Sequence, residues 1–311
     1  MSGTYLSLTN GVLARLNEVQ LTSSNFTSAR GIQVQAQNAV NEAIRYINQK
    51  EFNYPFNHAT ATQTLTAGVV RYSLPTSTKT VDYNTARLVK DSDLGTSGGR
   101  LAVLNYNDYI NNYITQEDEI NSTTAAEAID TSETEIDLTS ASSFDSTGTV
   151  YIGNEQISYT GISTNTLTGC TRGASSTTAA AHDSGTTVTQ FTGGGMPKYI
   201  VRSADNNYLL YPFPTKKYSI KFDYYTYPTT LSAYDSTTSV PARFDAVIED
   251  GATAFVYQYR GETAQYQLNF ARFEQGIKNM QTLLVNKYEY LRSTYIPRTP
   301  TNVIDLDARV M

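Results

Sequence analysis

The amino-acid sequence predicts an α+β protein in which a helical bundle packs with a β barrel or sandwich. Apolar residues recur at helical spacing near both ends of the 311-residue chain, whereas short strand patterns fill the middle. A stretch rich in Thr, Ser and Gly interrupts the strands and predicts an inserted small all-β domain. The expected organisation is a core from residues 1–116 and 196–293, the insertion at 117–195, and an extended C-terminal arm at 294–311.

Two helices are expected near the beginning of the chain. Val12, Leu16 and Val19 fall on one helical face, so a short helix is predicted near residues 7–19. A longer amphipathic helix should follow and end near Lys50. Its apolar face would consist of Ile32, Ala36, Ala39, Val40, Ala43, Ile44 and Ile47.

Beyond the second helix the apolar period becomes that of strands. Residues 64–75 predict two strand pieces around a turn at Gly68, and residues 106–110 indicate a short helical turn. Further strand segments are predicted at 87–89, 101–104, 199–201, 208–211 and 218–225. Because strands occur on both sides of the predicted insertion, the chain should leave one sheet and later return to it.

The predicted insertion has its own strand signals. Short alternating segments lie at residues 136–138, 149–152 and 156–159, and glycines separate them as turns require. Regular turn spacing with an apolar residue in each segment favours a small β domain over a long disordered loop.

Two helices are expected before the arm. One apolar stripe runs over residues 244–256 and a second over 266–288, with Gly261 between them. Glu274 and Lys278 are spaced to form an i, i+4 ion pair on the second helix.

The arm at residues 294–311 contains Pro297 and Pro300 and lacks periodicity. It cannot bury much apolar surface by itself, so we expect it to become ordered on a neighbouring subunit.

Composition narrows the classes of function. The chain has 24 Tyr, 11 Phe and no Trp, and tyrosine suits both protein interfaces and strand interiors, so both roles remain open. The net charge of −6 argues against wrapping nucleic acid through its phosphates or binding an anionic membrane. The sequence shows no secretory signal or transmembrane stretch, so we expect synthesis in a cytoplasm.

No recognisable catalytic or ligand-binding pattern is present. His58 and His182 lack metal-ligand spacing, no strand-to-helix nucleophile elbow supports a catalytic serine, and a single cysteine excludes an internal disulfide. We expect His182 to tie its loop together through backbone groups, Cys170 to be a small packed side chain, and acidic residues 117–119 to be a solvated run. The sequence therefore assigns no catalytic, cofactor or metal-binding residues.

Seven short motifs, in a fixed order, resemble a known family. They are Glu42–Asn48, Glu51–Asn57, Tyr72–Pro75, Gly195–Tyr199, Leu209–Pro214, Phe222–Tyr225 and Val240–Phe244. Together they resemble the podovirus tail tubular protein A (gateway) family of head-to-tail adaptors, and they cover most of the chain outside the predicted insertion.

The predicted insertion resembles a small β module of phage virion proteins. The likeness is carried by Ile152–Glu155, Ile157–Tyr159, Leu167–Gly173 and His182–Thr186. Simple adaptors of the family lack such an insertion, so the resemblance assigns it no role.

The family resemblance implies a structural virion protein and not an enzyme. Such a protein would form a homo-oligomeric ring of twelve copies below the portal, receive the tail nozzle and tail fibres, and let DNA pass without sequence-specific binding. Three alternatives remain open: a tail fibre or receptor-binding protein, a cell-wall hydrolase, and a neck or tail-terminator ring.

Overall fold

The computed structural model describes residues 3–50, 52–89 and 98–285. The helices are α1 (Tyr5–Arg15), α2 (Ile32–Gln49), α3 (Tyr106–Asn112), α4 (Asp245–Arg260) and α5 (Thr263–Leu284). The strands are β1 (His58–Leu65), β2 (Arg71–Ser73), β3 (Thr78–Leu88), β4 (Ala102–Leu104), β5 (Ile120–Thr124), β6 (Ile136–Asp137), β7 (Gly148–Ile152), β8 (Glu155–Tyr159), β9 (Gly161–Ser163), β10 (Thr166–Thr168), β11 (Thr187–Phe191), β12 (Tyr199–Arg202), β13 (Asn207–Tyr211) and β14 (Tyr218–Thr226).

The described residues form two compact units, which confirms the α+β class. The first unit contains the two ends of the chain, up to Asn57 and from Tyr227 onward, and holds α1, α2, α4 and α5. The second unit is His58–Thr226 and contains every strand together with α3.

The first unit is a helical bundle around one hydrophobic cluster. Helix α4 packs against α1, α2 and α5, and it contributes Ile248, Ala252 and Val256 to the cluster. Small residues allow close approach of the backbones: a Cβ on Gly251 would lie 2.6 Å from the ring of Phe273. The C-terminal end of α4 is fixed by Gly261, which takes the left-handed φ of +76° that favours glycine.

The first helix begins and ends earlier than predicted. The Thr4 side chain accepts a hydrogen bond from the Ser7 N–H and caps α1, so the helix starts before residue 7. Asn17 adopts a left-handed φ of 57°, which stops the helix before Val19. The Val19 side chain is consequently 77 % exposed and does not belong to the apolar face of the helix.

The second unit contains open sheets, and among its described strands none closes into a barrel. The strand orders are β1-β14-β3, β2-β13-β12-β4, β5-β11-β7-β8 and β6-β10-β9. The barrel alternative of the prediction is therefore wrong, because the edge strands of these sheets are not joined to each other. The first two sheets instead share one hydrophobic cluster, in which Tyr208 meets Phe222 at 5.4 Å between ring centroids.

The turn at Gly68 separates strands of different sheets. Gly68 has φ +74°, as the prediction of a turn requires, but β1 pairs with β14 whereas β2 pairs with β13. The turn therefore carries the chain from one sheet to the other and does not form a hairpin.

The segment from β5 to β11 has its own sheets and its own hydrophobic cluster. The cluster includes Val150, Ile152, Ile157, Leu167 and Val188, all of which are fully buried. The predicted strands at 136–138, 149–152 and 156–159 correspond to β6, β7 and β8. The boundaries of a separate domain at 117 and 195 stay a prediction. The predicted arm at 294–311, and the end of the last predicted stripe at Tyr288, lie outside the described residues.

Candidate interaction surfaces

The helical bundle carries a polar groove between α1, α4 and α5. Arg15 pairs with Glu249 at 2.8 Å and also with Asp250, so two carboxylates hold one guanidinium at the groove wall. The groove has a volume of about 410 Å³. It is lined by Arg15, Asp250, Thr253, Tyr257, Gln265, Leu268, Asn269 and Arg272. This arrangement suits a partner that offers both charged and apolar groups.

Exposed apolar side chains lie on the same two C-terminal helices. Tyr259 at the end of α4 is 66 % exposed, and Leu268 and Leu283 on α5 are 52 % and 67 % exposed. Only Phe273, Ile277 and Met280 of α5 are buried. These helices therefore present apolar groups to the surroundings that they do not need for their own packing.

Helix α5 is tied to α2 by a charged contact that the sequence did not predict. The Glu274 carboxylate pairs with Lys50 at 3.1 Å and accepts a hydrogen bond from the Tyr46 hydroxyl. These two hydrogen bonds, the Tyr46 one foremost, outweigh burial and lower the pKa of Glu274. Glu274 makes its direct ion pair with Lys50, and the positive charge of Lys278 also lowers the pKa of Glu274, which agrees with the predicted favourable i, i+4 pair.

A buried ionic network holds the loops of the β5–β11 segment. The Glu155 side chain is 1 % exposed and accepts two hydrogen bonds from Arg172 and one from His182, at 2.7 to 2.8 Å. The backbone N–H groups of Gly173 and Ala180 donate to the same carboxylate at 3.1 Å. Burial alone would raise the pKa of Glu155, but these donors hold it at about 2.

The role predicted for His182 is therefore partly corrected. Its ring nitrogen Nε2 contacts the Glu155 carboxylate, whereas its backbone N–H and C=O pair with Ile129. The loop is tied as expected, but a buried side chain and not the backbone receives the imidazole. A signal was present in the sequence, because Arg172 is the single Lys or Arg between residues 117 and 195.

A groove of about 770 Å³ lies beside this network. It is lined by residues 151–156, 175–178, Ala180, His182 and 215–217. Ser175 and Ser176 have left-handed φ values of 53° and 66°, which is strained for residues other than glycine. The donors around Glu155 all serve the network itself, so the charged groups that the groove adds are Lys216 and Lys217 in the 215–217 part of its lining.

The remaining candidate residues have structural surroundings. Burial raises the pKa of the Cys170 thiol to about 11, which confirms a packed side chain that is a poor nucleophile at neutral pH. His58 lies 3.7 Å from Asp223 on the neighbouring strand β14. The prediction of a solvated acidic run is wrong for Glu117, which pairs with Arg71 at 3.0 Å and accepts a hydrogen bond from Tyr109.

In the described part of the chain, no group of three or more His, Cys, Asp or Glu residues could hold a metal ion. Within the same residues, no helix combines the length and the apolar character needed to span a bilayer.

The described tyrosines range from fully buried to strongly exposed. Seven tyrosines are buried: Tyr5, Tyr54, Tyr72, Tyr109, Tyr159, Tyr208 and Tyr218. Tyr227, Tyr234 and Tyr259 are the strongly exposed ones among the described residues. The other described tyrosines are half-buried, so both roles outlined from composition stay open for them.

Comparison with known proteins places these features in a family. No curated protein matches the sequence at a significant level. Residues 100–294, which are more than half of the chain, match the family described as SU10 adaptor protein. The match includes the β5–β11 segment, the later strands and the two C-terminal helices with their exposed face. The chain therefore belongs to the SU10 adaptor protein family, a family of phage structural adaptors.

Proposed function

We propose that this chain forms a ring in the virion that joins the portal of the head to the tail. The observation that carries the proposal is membership in an adaptor family over residues 100–294. The podovirus gateway resemblance adds the finer assignments: twelve copies, a tail nozzle and tail fibres as further partners, and assembly in the host cytoplasm. In this proposal the helical bundle faces the portal and the sheets face the tail.

Assembly, and not catalysis, is the proposed mechanism. Identical subunits that join head-to-tail close into a ring when the rotation between them divides a full turn. Helices α4 and α5 offer exposed apolar groups beside a charged groove, a composition typical of contact surfaces. The net charge of −6 would keep DNA sliding through the ring and not bound to it.

The test is to mix the purified protein with the portal of the same phage and image the product by cryo-electron microscopy. We expect closed rings of this chain seated on one end of the portal. The control is the same mixture with an unrelated portal, which should bind no rings. Virions in which this chain occupies a position other than the portal–tail junction would contradict the proposal.

A further inference from the structure

Strand β1 forms an open edge of the sheet β1-β14-β3. All eight of its residues pair with β14, from His58↔Tyr225 to Leu65↔Tyr218, and no other described strand pairs with it. In an antiparallel pair, alternate residues direct their backbone N–H and C=O groups away from the partner strand. About half of the β1 backbone groups therefore face outward, where another strand could bind them.

Within the described residues, this edge lacks the features that protect sheet edges. The β1 sequence His-Ala-Thr-Ala-Thr-Gln-Thr-Leu contains no Lys, Asp, Glu, Pro or Gly. The opposite edge strand, β3, carries the charged residues Lys79 and Asp82 and pairs irregularly with β14. Its end is covered by Leu101, whose backbone N–H donates to the Ala86 carbonyl oxygen. Charges and irregular pairing discourage strand addition, so β3 is protected whereas β1 is not.

The two faces of β1 also differ. Its side chains alternate between exposed positions and half-buried ones, and the half-buried face includes Ala59 and Ala61. Ala61 packs against the hydrophobic cluster that contains Phe222, but its small side chain covers little of it. A further strand with apolar residues on this face would extend the cluster beyond the present edge.

The last residues of the sequence have the matching pattern. Residues 304–310 read Ile-Asp-Leu-Asp-Ala-Arg-Val, in which apolar residues alternate with charged ones. The arm as a whole lacks periodicity, but these seven residues alternate as a strand with one apolar face does. Ile304 lies 19 residues beyond Val285, a reach of roughly 60 Å for an extended chain. That reach is about three times the expected radius of gyration of a folded chain of this length, roughly 20 Å, so the segment can extend to another subunit.

We propose that residues 304–310 of a second copy of this chain add to β1 as a fourth strand of the sheet. The inference rests on the proposed ring, because it requires neighbouring copies. Backbone hydrogen bonds supply the attachment, and the alternation directs Ile304, Leu306 and Val310 toward the face of Ala59 and Ala61. Each subunit thereby holds the next one through a strand.

Hydrogen exchange measured by mass spectrometry tests this pairing in the full-length chain. We compare dilute monomer with assembled ring, and we follow a peptide that covers residues 58–65. In the ring, about half of the β1 amides should exchange at least roughly tenfold more slowly than in the dilute monomer. Leu306→Pro should abolish this protection, because proline lacks the N–H and disturbs the strand. Asp307→Asn, which keeps the alternation, is the matched control and should retain it.

The outcomes separate this inference from the proposed function. Equal β1 exchange in wild-type and Leu306→Pro rings would overturn the strand addition while leaving the adaptor ring in place. Protection that is already complete in the dilute monomer would mean that the segment binds its own subunit, and the second-copy proposal would be wrong. Failure of the wild-type chain to form any ring, with or without portal, would contradict the proposed function itself.

Discussion

At the scale of single residues, hydrogen bonding determines whether the hydroxyl group of a buried tyrosine stabilises or destabilises the fold. The Tyr109 hydroxyl donates to Glu117 and accepts from Gln116, each at 2.9 Å. The Tyr208 hydroxyl is equally buried but has no hydrogen-bond partner among the described residues. Two side chains of one type, in one unit of the fold, therefore have opposite energetic consequences.

We expect Tyr109→Phe and Tyr208→Phe to change the free energy of unfolding in opposite directions. Loss of the Tyr109 hydroxyl should destabilise the second unit by about 1–3 kcal/mol, because Gln116 and Glu117 lose a buried partner. Loss of the Tyr208 hydroxyl should be neutral or stabilising by up to about 1 kcal/mol. Urea denaturation of both variants measures the difference. Equal destabilisation by both changes would contradict the role of the hydrogen bonds.

The Glu155 network should make the β5–β11 segment sensitive to acid. The pKa of Glu155 is about 2 in the folded chain, below its ordinary value of 4.5. A carboxyl group with a lowered pKa stabilises the fold above its unfolded pKa, and this stability is lost as the pH falls from about 4.5 through 2. At pH 7 we expect Glu155→Gln to cost about 3–5 kcal/mol, because Arg172 keeps its charge but loses its counterion.

The matched control for this prediction is Glu127→Gln, since Glu127 is exposed in the same segment. It should leave the unfolding free energy within about 0.5 kcal/mol of wild type. Thermal unfolding at pH 7 and at pH 3 measures both variants. If wild type and Glu155→Gln lost equal stability between these two pH values, the network would not be the acid-sensitive element.

Sequence reasoning identified His182 as a loop tie but not the carboxylate that receives it. The spacing of Glu155, Arg172 and His182 follows no metal or catalytic motif, because Glu155 begins strand β8 whereas Arg172 and His182 lie 17 and 27 residues later in the chain. Burial of a charge and its compensation are properties of three-dimensional packing. The isolated Arg172 in a segment otherwise without Lys or Arg was the available signal.

At the scale of secondary-structure elements, the contact between α4 and α5 depends on glycine. A Cβ on Gly251 would lie 2.6 Å from a ring carbon of Phe273, whereas a Cβ on Gly276 would lie 3.1 Å from methyl groups of Val247. An alanine in a helix ordinarily gains about 0.5–1 kcal/mol over glycine. The outcome of each substitution therefore depends on whether the facing side chain can move.

We expect Gly251→Ala to lower the stability of the bundle by about 1–3 kcal/mol, because the buried Phe273 ring must be displaced. Gly276→Ala is the matched control and should change stability by less than about 1 kcal/mol, since a few tenths of an ångström relieve its contact. Differential scanning calorimetry measures both. A melting temperature for Gly251→Ala at or above that of wild type would show that the two helices are not closely packed at this point.

The helices were more predictable than the strands. The apolar stripes of α2, α4 and α5 repeat over many turns, so their existence followed from the sequence. The shorter α1 was predicted to continue past Asn17, where the left-handed backbone stops it. Strand β3 was predicted only over its last residues, because Lys79, Asp82 and Asn84 give it few apolar positions. An edge strand that is polar in sequence becomes visible only through its pairing with β14.

At the scale of the whole molecule, the sequence predicted the class and the presence of helices and strands but not whether the sheets close into a barrel. Barrel and sandwich patterns share the same alternation along each strand, and the difference lies in whether edge strands pair. The order of several short motifs predicted a phage adaptor-type protein, which the family match supports, whereas the podovirus gateway assignment stays a proposal. The exposed residues of α4 and α5 could not be identified from the sequence, because exposure is a property of the fold.

We expect Leu268→Glu to impair ring formation while leaving the fold intact. Leu268 is 52 % exposed, so the substitution costs little within the subunit, but it would remove an apolar contact and bury a charge in an interface formed by α5. Gln267→Glu places the same charge one residue away on an exposed position and is the matched control. Mass photometry with and without portal measures the oligomer. Unchanged rings in Leu268→Glu would place this face of α5 outside the contact between subunits.

The pairing of β5 with β11 has a consequence for how the sequence of such a protein can diverge. Strand β5 is the first strand of the segment and β11 is the last, and their register places Asn121 directly opposite Gln190. The two ends of the segment are therefore neighbours. A piece of chain with adjacent ends can be removed and replaced by a tight turn, or exchanged for an unrelated piece, without altering the distance that the surrounding sheets must span. The architecture thus permits this segment to be lost or exchanged during evolution while the surrounding sheets stay the same.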